Sequence, residues 1–305
     1  MRQEMPGGMV SYGPDDEIGA LNLLTPDRLL KTMGLVRKGR VYDLDAGRSM
    51  GLPLGPGQPL LTVVGYRTSR GLSMTGDYFP DAPNSASQGF NSELVISSMH
   101  TGCHIDALSH ITLGSDARWY NGYRAAEYLG DFGPLKADVS AYPPILGRGI
   151  LIDVAGFRGV ERLPRGEGIG RDELEAVARH QGTAVGEGDI VLIRTGIMRD
   201  WPNASIMAEA DGSGLRLDGA TWLADQVGVA AVGADNSSVE MLPAGDPSRP
   251  QPVHAFLLVE RGVPLMEFVF LEDLARDRVY EFLFVALPLK IAGATGSMLR
   301  PIAVV

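Results

Sequence analysis

Three short apolar runs, Gly149 to Val154, Asp189 to Thr195 and Val229 to Ala234, constrain this chain more than any other feature. Each is bounded by glycine or charge and reads as a strand buried on both faces. Between them lie Asp172 to His180 and Asp218 to Val227, which open on an acidic cap and close near Gly182 and Gly228, as helices do. Buried strands alternating with helices predict an α/β sheet, and Tyr280 to Ile291 predicts one more long strand. The 305 residues, 45% of them apolar and 21% charged, suffice for one large α/β domain or two small ones. No repeat or linker divides them, so residues 1–305 read as a single domain with 1–24 as a polar, glycine-bearing N-terminal arm.

In the first half, Thr25 as cap, Pro26 in the first turn and Gly39 as stop predict a helix. Val41 to Leu44, Leu61 to Tyr66 and Ser92 to Ser98 read as strands. The glycine-, serine- and proline-rich stretch from Thr68 to Phe90 reads as a long loop of the kind used as a lid or binding loop. It ends just before the strand at Ser92, so Tyr78, Phe79 and Phe90 are candidates to line a pocket.

That strand leads into the densest chemistry in the chain. His100, His104 and His110, three of the five histidines, fall with Asp106 inside eleven residues. Neutral imidazole and carboxylate are the usual ligands of zinc, manganese and ferrous iron. The four lie on even positions, the period of a strand, whereas on a helix Asp106 and His110 would turn away from His100 and His104. A straight strand of this length would span about 33 Å, far more than ligands about 2 Å from one ion allow. The segment must therefore bend. Gly102 supplies the freedom, and Asp106 reads as the cap of a helical turn that returns His110 over it. Arg118 to Tyr123 then brings Trp119 and Tyr120 beside the motif, as aromatic faces for a flat substrate or as core.

The segment resembles the signature His-x-Gly-Thr-His-x-Asp-x-Pro-x-His of the metal-dependent cyclase-like hydrolases, which include bacterial kynurenine formamidase and isatin hydrolase. Every ligand position matches; Cys103 stands for Thr and Leu108 for Pro. The resemblance extends to Gly262-Val263-Pro264-Leu265-Met266-Glu267, where the family's glutamate binds metal, and to His254 before it. It implies a swivelling β/α/β-type domain of mixed sheets packed on helices, assembled as a homodimer or homotetramer. It further implies one or two divalent ions, Mn2+ or Zn2+, held by His100, His104, Asp106, His254 and Glu267. With no organic cofactor, such a site hydrolyses a C–N amide bond through water brought to a pKa of about 7. His110 is then placed as the proton-transfer residue, and Tyr78, Phe90, Trp119 and Tyr120 as substrate-binding candidates.

Composition narrows the partners. A net charge of −10 argues against nucleic acid or an anionic membrane and suits a small neutral molecule. The one cysteine, an N-terminus without an apolar signal region and the lack of any membrane-length apolar run predict a cytoplasmic protein. The N-terminal arm with Asp16 to Asn22 resembles the isatin-hydrolase-like branch and points to ring opening of a cyclic amide or imide. The alternatives are an arylformamidase acting on N-formylkynurenine, a metal-dependent cyclase or dehydratase, and a non-catalytic metal-binding protein. Asp235, at the end of a strand, reads equally as a binding residue or a turn-former, and with Ser237 and His254 it permits a serine-hydrolase arrangement, although no Gly-x-Ser-x-Gly elbow is present.

Overall fold

The apolar runs become adjacent parallel strands, since a strand apolar on both faces is stable only between two covering layers. The computed structural model describes residues 2–5, 8–53, 58–76 and 84–305. Nine strands form one mixed sheet: β1 (Val41–Asp43), β2 (His104–Asp106), β3 (Ile145–Asp153), β4 (Ile190–Arg194), β5 (Ala231–Ala234), β6 (Leu265–Glu267), β7 (Glu281–Ala286), β8 (Gly296–Met298) and β9 (Ile302–Val304). Side by side they run β8-β2-β6-β5-β4-β3-β7-β9-β1. The four from β6 to β3 are parallel to one another, and every other pairing in the sheet is antiparallel.

Helices make the crossovers. Arg171–Gln181 buries Leu174, Val177 and Ala178, the i, i+3, i+4 stripe of an amphipathic helix, and stops at Gly182 in the left-handed region (φ +68°). Leu217–Thr221 continues through a wider π-type turn, Trp222–Val227, to Gly228. Pro252–His254 does the same through Ala255–Arg261 to Gly262, which delivers the chain into β6. The α/β class read from the sequence is thus met by a mixed sheet packed with helices. Among the described residues no helix is long and apolar enough to cross a membrane.

Several local readings need correction. The helix capped by Thr25 ends at Met33, stopped by Gly34, a poor helix former, rather than at Gly39. The stretch read as one long loop opens with a helix, Ser69–Thr75, capped by the Thr68 hydroxyl and closed by Gly76 at φ +66°. The last long strand ends at Ala286 because Pro288 has no N–H for a ladder. Asp106 does not cap a helix; a single turn, closed by His110 N to Ala107 O at 3.0 Å, follows it. Tyr78 and Phe79 lie outside the described residues.

The N-terminal segment packs on its own chain. Asp16 accepts from Ile18 N and Gly19 N, and Ala20 N donates to Gly262 O at 2.7 Å. Tyr120 donates its hydroxyl to Asp16, and Trp119 Nε1 donates to Lys136 O at 3.1 Å. Both rings are buried in the core, the commoner use of such residues.

Asp235 resolves as an organiser of a turn. Buried at the end of β5, its Oδ1 accepts from Thr195 N and Thr195 Oγ1, and its Oδ2 from Gly196 N, each at 2.7 Å. Ser237 donates to Asp211 and His254 is engaged by Glu240 and Glu267, so the serine-hydrolase arrangement is not assembled. Asp235→Asn would present an NH2 to one of three fixed donors and should cost about 1–3 kcal/mol of stability. Urea denaturation measures this, and an unchanged midpoint would remove Asp235 from the role.

Candidate metal centre

In β2 the side chains alternate, so His104 and Asp106 share one face while Ile105 packs into the core on the other. On the neighbouring antiparallel strand β6, Glu267 stands directly opposite His104 and therefore on the same face. His104 Nε2 lies 3.5 Å from Asp106 Oδ1 and 3.3 Å from Glu267 Oε2. Its Nδ1 is 2.7 Å from Gly102 O, a pure acceptor, so Nδ1 carries the proton and Nε2 is turned to the carboxylates.

The bend required by the spacing is made at Gly102, in the left-handed region at φ +64°. Arg48 packs so closely there that a Cβ on Gly102 would stand 3.2 Å from its Cγ. Its Nε donates to Thr101 O at 2.9 Å, its Nη2 to Cys103 O and Leu299 O, and its Nη1 pairs with Asp45. His100 returns over the strand, with Nδ1 2.8 Å from Asp106 Oδ1, Nε2 3.2 Å from Thr295 Oγ1 and its ring 4.2 Å from that of His110. Gly296 of β8, paired with Asp106 of β2, makes room for it; a Cβ would stand 2.6 Å from His100 Cε1 and 2.9 Å from Ile105 O. His254, where the helix enters its π-type turn, puts Nε2 3.2 Å from Glu267 Oε1 and 3.8 Å from Asp106 Oδ2, with Nδ1 on Glu240.

Burial and charge compete at every one of these groups. Burial pushes His104 and His254 down, yet the carboxylates of Asp106 and Glu267 at the first, and of Glu240 and Glu267 at the second, win and raise each to about 10. Burial pushes Asp106 up, but His110, His100 and His104 hold it well below the usual carboxylate range. Glu267 is likewise lowered, against burial, by His104 and His254. At His110 burial prevails over the pull of Asp106 and lowers its pKa, leaving a neutral imidazole near neutral pH.

Among the described residues two groups of three donors result, His100 with Asp106 and His110, and His104 with Asp106 and Glu267, their ligand atoms within 4.8 Å of one another in each. Asp106 is common to both. Mixed imidazole and carboxylate donors suit a divalent ion such as zinc or manganese, which would take the place of the protons that these carboxylates hold on His104 and His254. The structure therefore brings together His100, His104, Asp106, His110, His254 and Glu267. Cys103 and Leu108, the two departures from the signature, are buried in the core, and Cys103 joins neither donor group. Phe90 is exposed, in the segment that leads into the second strand of the hairpin (Thr62–Arg67 with Ser92–Ile96), rather than in the core. Arg48, Glu240 and Gly296 were not expected, because nothing local in the sequence links them to the motif.

A family model described as "Putative cyclase" matches residues 49–241, which include His100 to His110 and stop short of His254 and Glu267. Among solved structures, one described as a novel cyclase superposes with a TM-score of 0.84 at 31% identity, over 96% of this chain and 98% of its own. An isatin hydrolase bound to the product analogue thioisatinate gives 0.63 at 20% identity, over 94% and 97%. Isatin hydrolase A from Ralstonia solanacearum gives 0.62 at 19%, over 87% and 91%. At such identities these two hydrolases speak for the fold alone. No curated protein sequence matches the chain.

If Gly296 exists to admit the His100 ring, Gly296→Ala should weaken zinc or manganese binding about tenfold or more while the fold persists. A competitive metal titration beside a thermal melt checks this; undiminished affinity would mean that His100 is not a ligand.

Proposed function

The chain belongs to the cyclase family, and from that membership we propose that it is a metal-dependent hydrolase opening the C–N bond of a small cyclic amide or imide. The observation that carries this reading is the position of His110, its ring 4.2 Å from that of His100 and grouped with Asp106 at the edge of a buried imidazole and carboxylate cluster. A divalent ion bound there would supply Lewis acidity toward a carbonyl oxygen and acidify water. His100, His104, Asp106, His254 and Glu267 would hold it, with His104 oriented through Gly102 O. His110 takes the proton of the attacking water and returns it to the leaving nitrogen, so that a cyclic amide opens to a carboxyl group and an amine, and an imide to a carboxyl group and an amide.

A neutral ring is preferred over a substrate with a charged amino-acid end. Arg48, the cation packed against the His100–His104 turn, has every guanidinium nitrogen engaged by Asp45, Thr101, Cys103 or Leu299, which leaves it poorly placed to receive a carboxylate. Assembly with a second copy is supported by the hairpin, where Val63, Tyr66, Leu94, Val95 and Ile96 are all exposed. A two-stranded ribbon with apolar residues exposed on both faces is marginal unless covered.

Stripping with a chelator should abolish turnover with the fold largely retained, and manganese or zinc should restore it; full activity of metal-free protein would sink the mechanism. His110→Ala should bind metal nearly normally and lose about 10²-fold or more in turnover, whereas a matching loss of metal would make His110 a ligand.

For the substrate, isatin-like lactams, small imides and N-formylkynurenine assayed side by side should favour the rings. Faster deformylation would favour the arylformamidase alternative.

A further inference from the structure

We propose that Glu240 is a positioning residue of this centre, fixing the ring of His254 so that Nε2 faces Glu267 and Asp106. The inference rests on the metal-dependent reading above for what Nε2 receives.

Glu240 is only 1% exposed, and a carboxylate buried so deeply has to be paired. Its partners all lie where the helix toward β6 begins. Oε2 accepts from Val253 N at 3.1 Å, Oε1 accepts from His254 N at 3.0 Å, and Oε1 also meets His254 Nδ1. A carboxylate accepting from two backbone amides has no proton to give, so the ring donates from Nδ1. That leaves Nε2 directed at Glu267 Oε1 and Asp106 Oδ2. His104 is fixed in the same sense by the Gly102 carbonyl, but at His254 the Nδ1 partner is a side-chain carboxyl group of the kind that strengthens an imidazole ligand.

The backbone is bent to achieve this. Val239 has φ +55°, a region β-branched residues almost never occupy, and Glu240 N turns back onto Ser238 O. The turn is clamped from outside by Leu215 N to Val239 O at 2.9 Å and Met241 N to Leu215 O at 3.0 Å. Gly214 admits it, since a Cβ there would stand 2.5 Å from Val239 O. Strain of this kind persists only where the surroundings impose it, and here it aims one carboxylate inward at one imidazole. A helix cap alone would need only the two backbone contacts.

The test compares wild type with E240Q and E240D, using competitive zinc titration, the visible spectrum of the cobalt-loaded protein, and thermal melts. The glutamine keeps size and an acceptor oxygen but loses charge. It should weaken zinc about 10- to 100-fold and change the cobalt spectrum, with E240D recovering part of both. In a His254→Ala background, adding E240Q should weaken zinc no further, which isolates the effect to the ring even if E240Q lowers the melting temperature. Wild-type affinity and an unchanged spectrum in E240Q would overturn the assignment and leave a cap. A wild-type protein that binds neither zinc nor cobalt would instead overturn the metal reading, and this proposal with it.

Discussion

The centre depends on one register: His104 of β2 directly opposite Glu267 of β6. Because side chains alternate along a strand, a slip of one residue would turn Met266 toward the donors and Glu267 into the core. What prevents the slip lies deeper in the sheet. β6 is parallel to β5 through Val232–Leu265 and Gly233–Met266, and β5 is parallel to β4 over four residues. These strands are buried on both faces, so each one's position is over-determined by packing. Gly233 contributes by default, since a Cβ there would stand 2.8 Å from Leu192 Cδ2 and 3.2 Å from Met266 Cβ. His104, Asp106 and Glu267 sit on strands buried in this sheet, the kind of support a preorganised site needs.

Around that fixed pair the chain tolerates local strain. Phe268, just after Glu267, and Val239, just before Glu240, both lie at positive φ without being glycine. The Phe268 kink is held by its own N–H on Asn236 O at 3.0 Å and by Val269 N on Ala234 O at 3.0 Å. Two acids in the same cluster are thus aimed by backbone conformations that cost energy. The stability of the surrounding sheet offsets that cost.

How much of this the sequence discloses follows from distance along the chain. His100, His104, Asp106 and His110 are legible because one strand and one turn hold them, so their spacing carries the geometry. The parallel core is legible because two-sided burial writes uninterrupted apolar runs, and Gly182 and Gly228 mark where its helices stop. His254 and Glu267 are reachable only through a resemblance, and Arg48, Glu240 and Gly296 not at all, since only the assembled sheet brings them to the motif. Residues 68 to 76 misled for another reason. Their glycine and serine content outweighed the capping hydroxyl of Thr68, which nucleates a short helix there.

The aromatics after the motif show how sequence proximity and spatial role can part. Tyr120 follows His110 by ten residues, yet its hydroxyl is taken by Asp16 and its ring fills the space over Gly262, where a Cβ would stand 2.3 Å from Tyr120 Cε2. Gly19 approaches the same turn so closely that a Cβ would stand 2.0 Å from Gly262 O. The N-terminal segment, the aromatic turn and the helix end that feeds β6 are therefore interlocked through two glycines, and none can shift alone. Gly262 begins the short connection to Glu267, so the burial of Tyr120 bears on the centre by holding the entry to β6, a supporting role that needs no contact with a substrate.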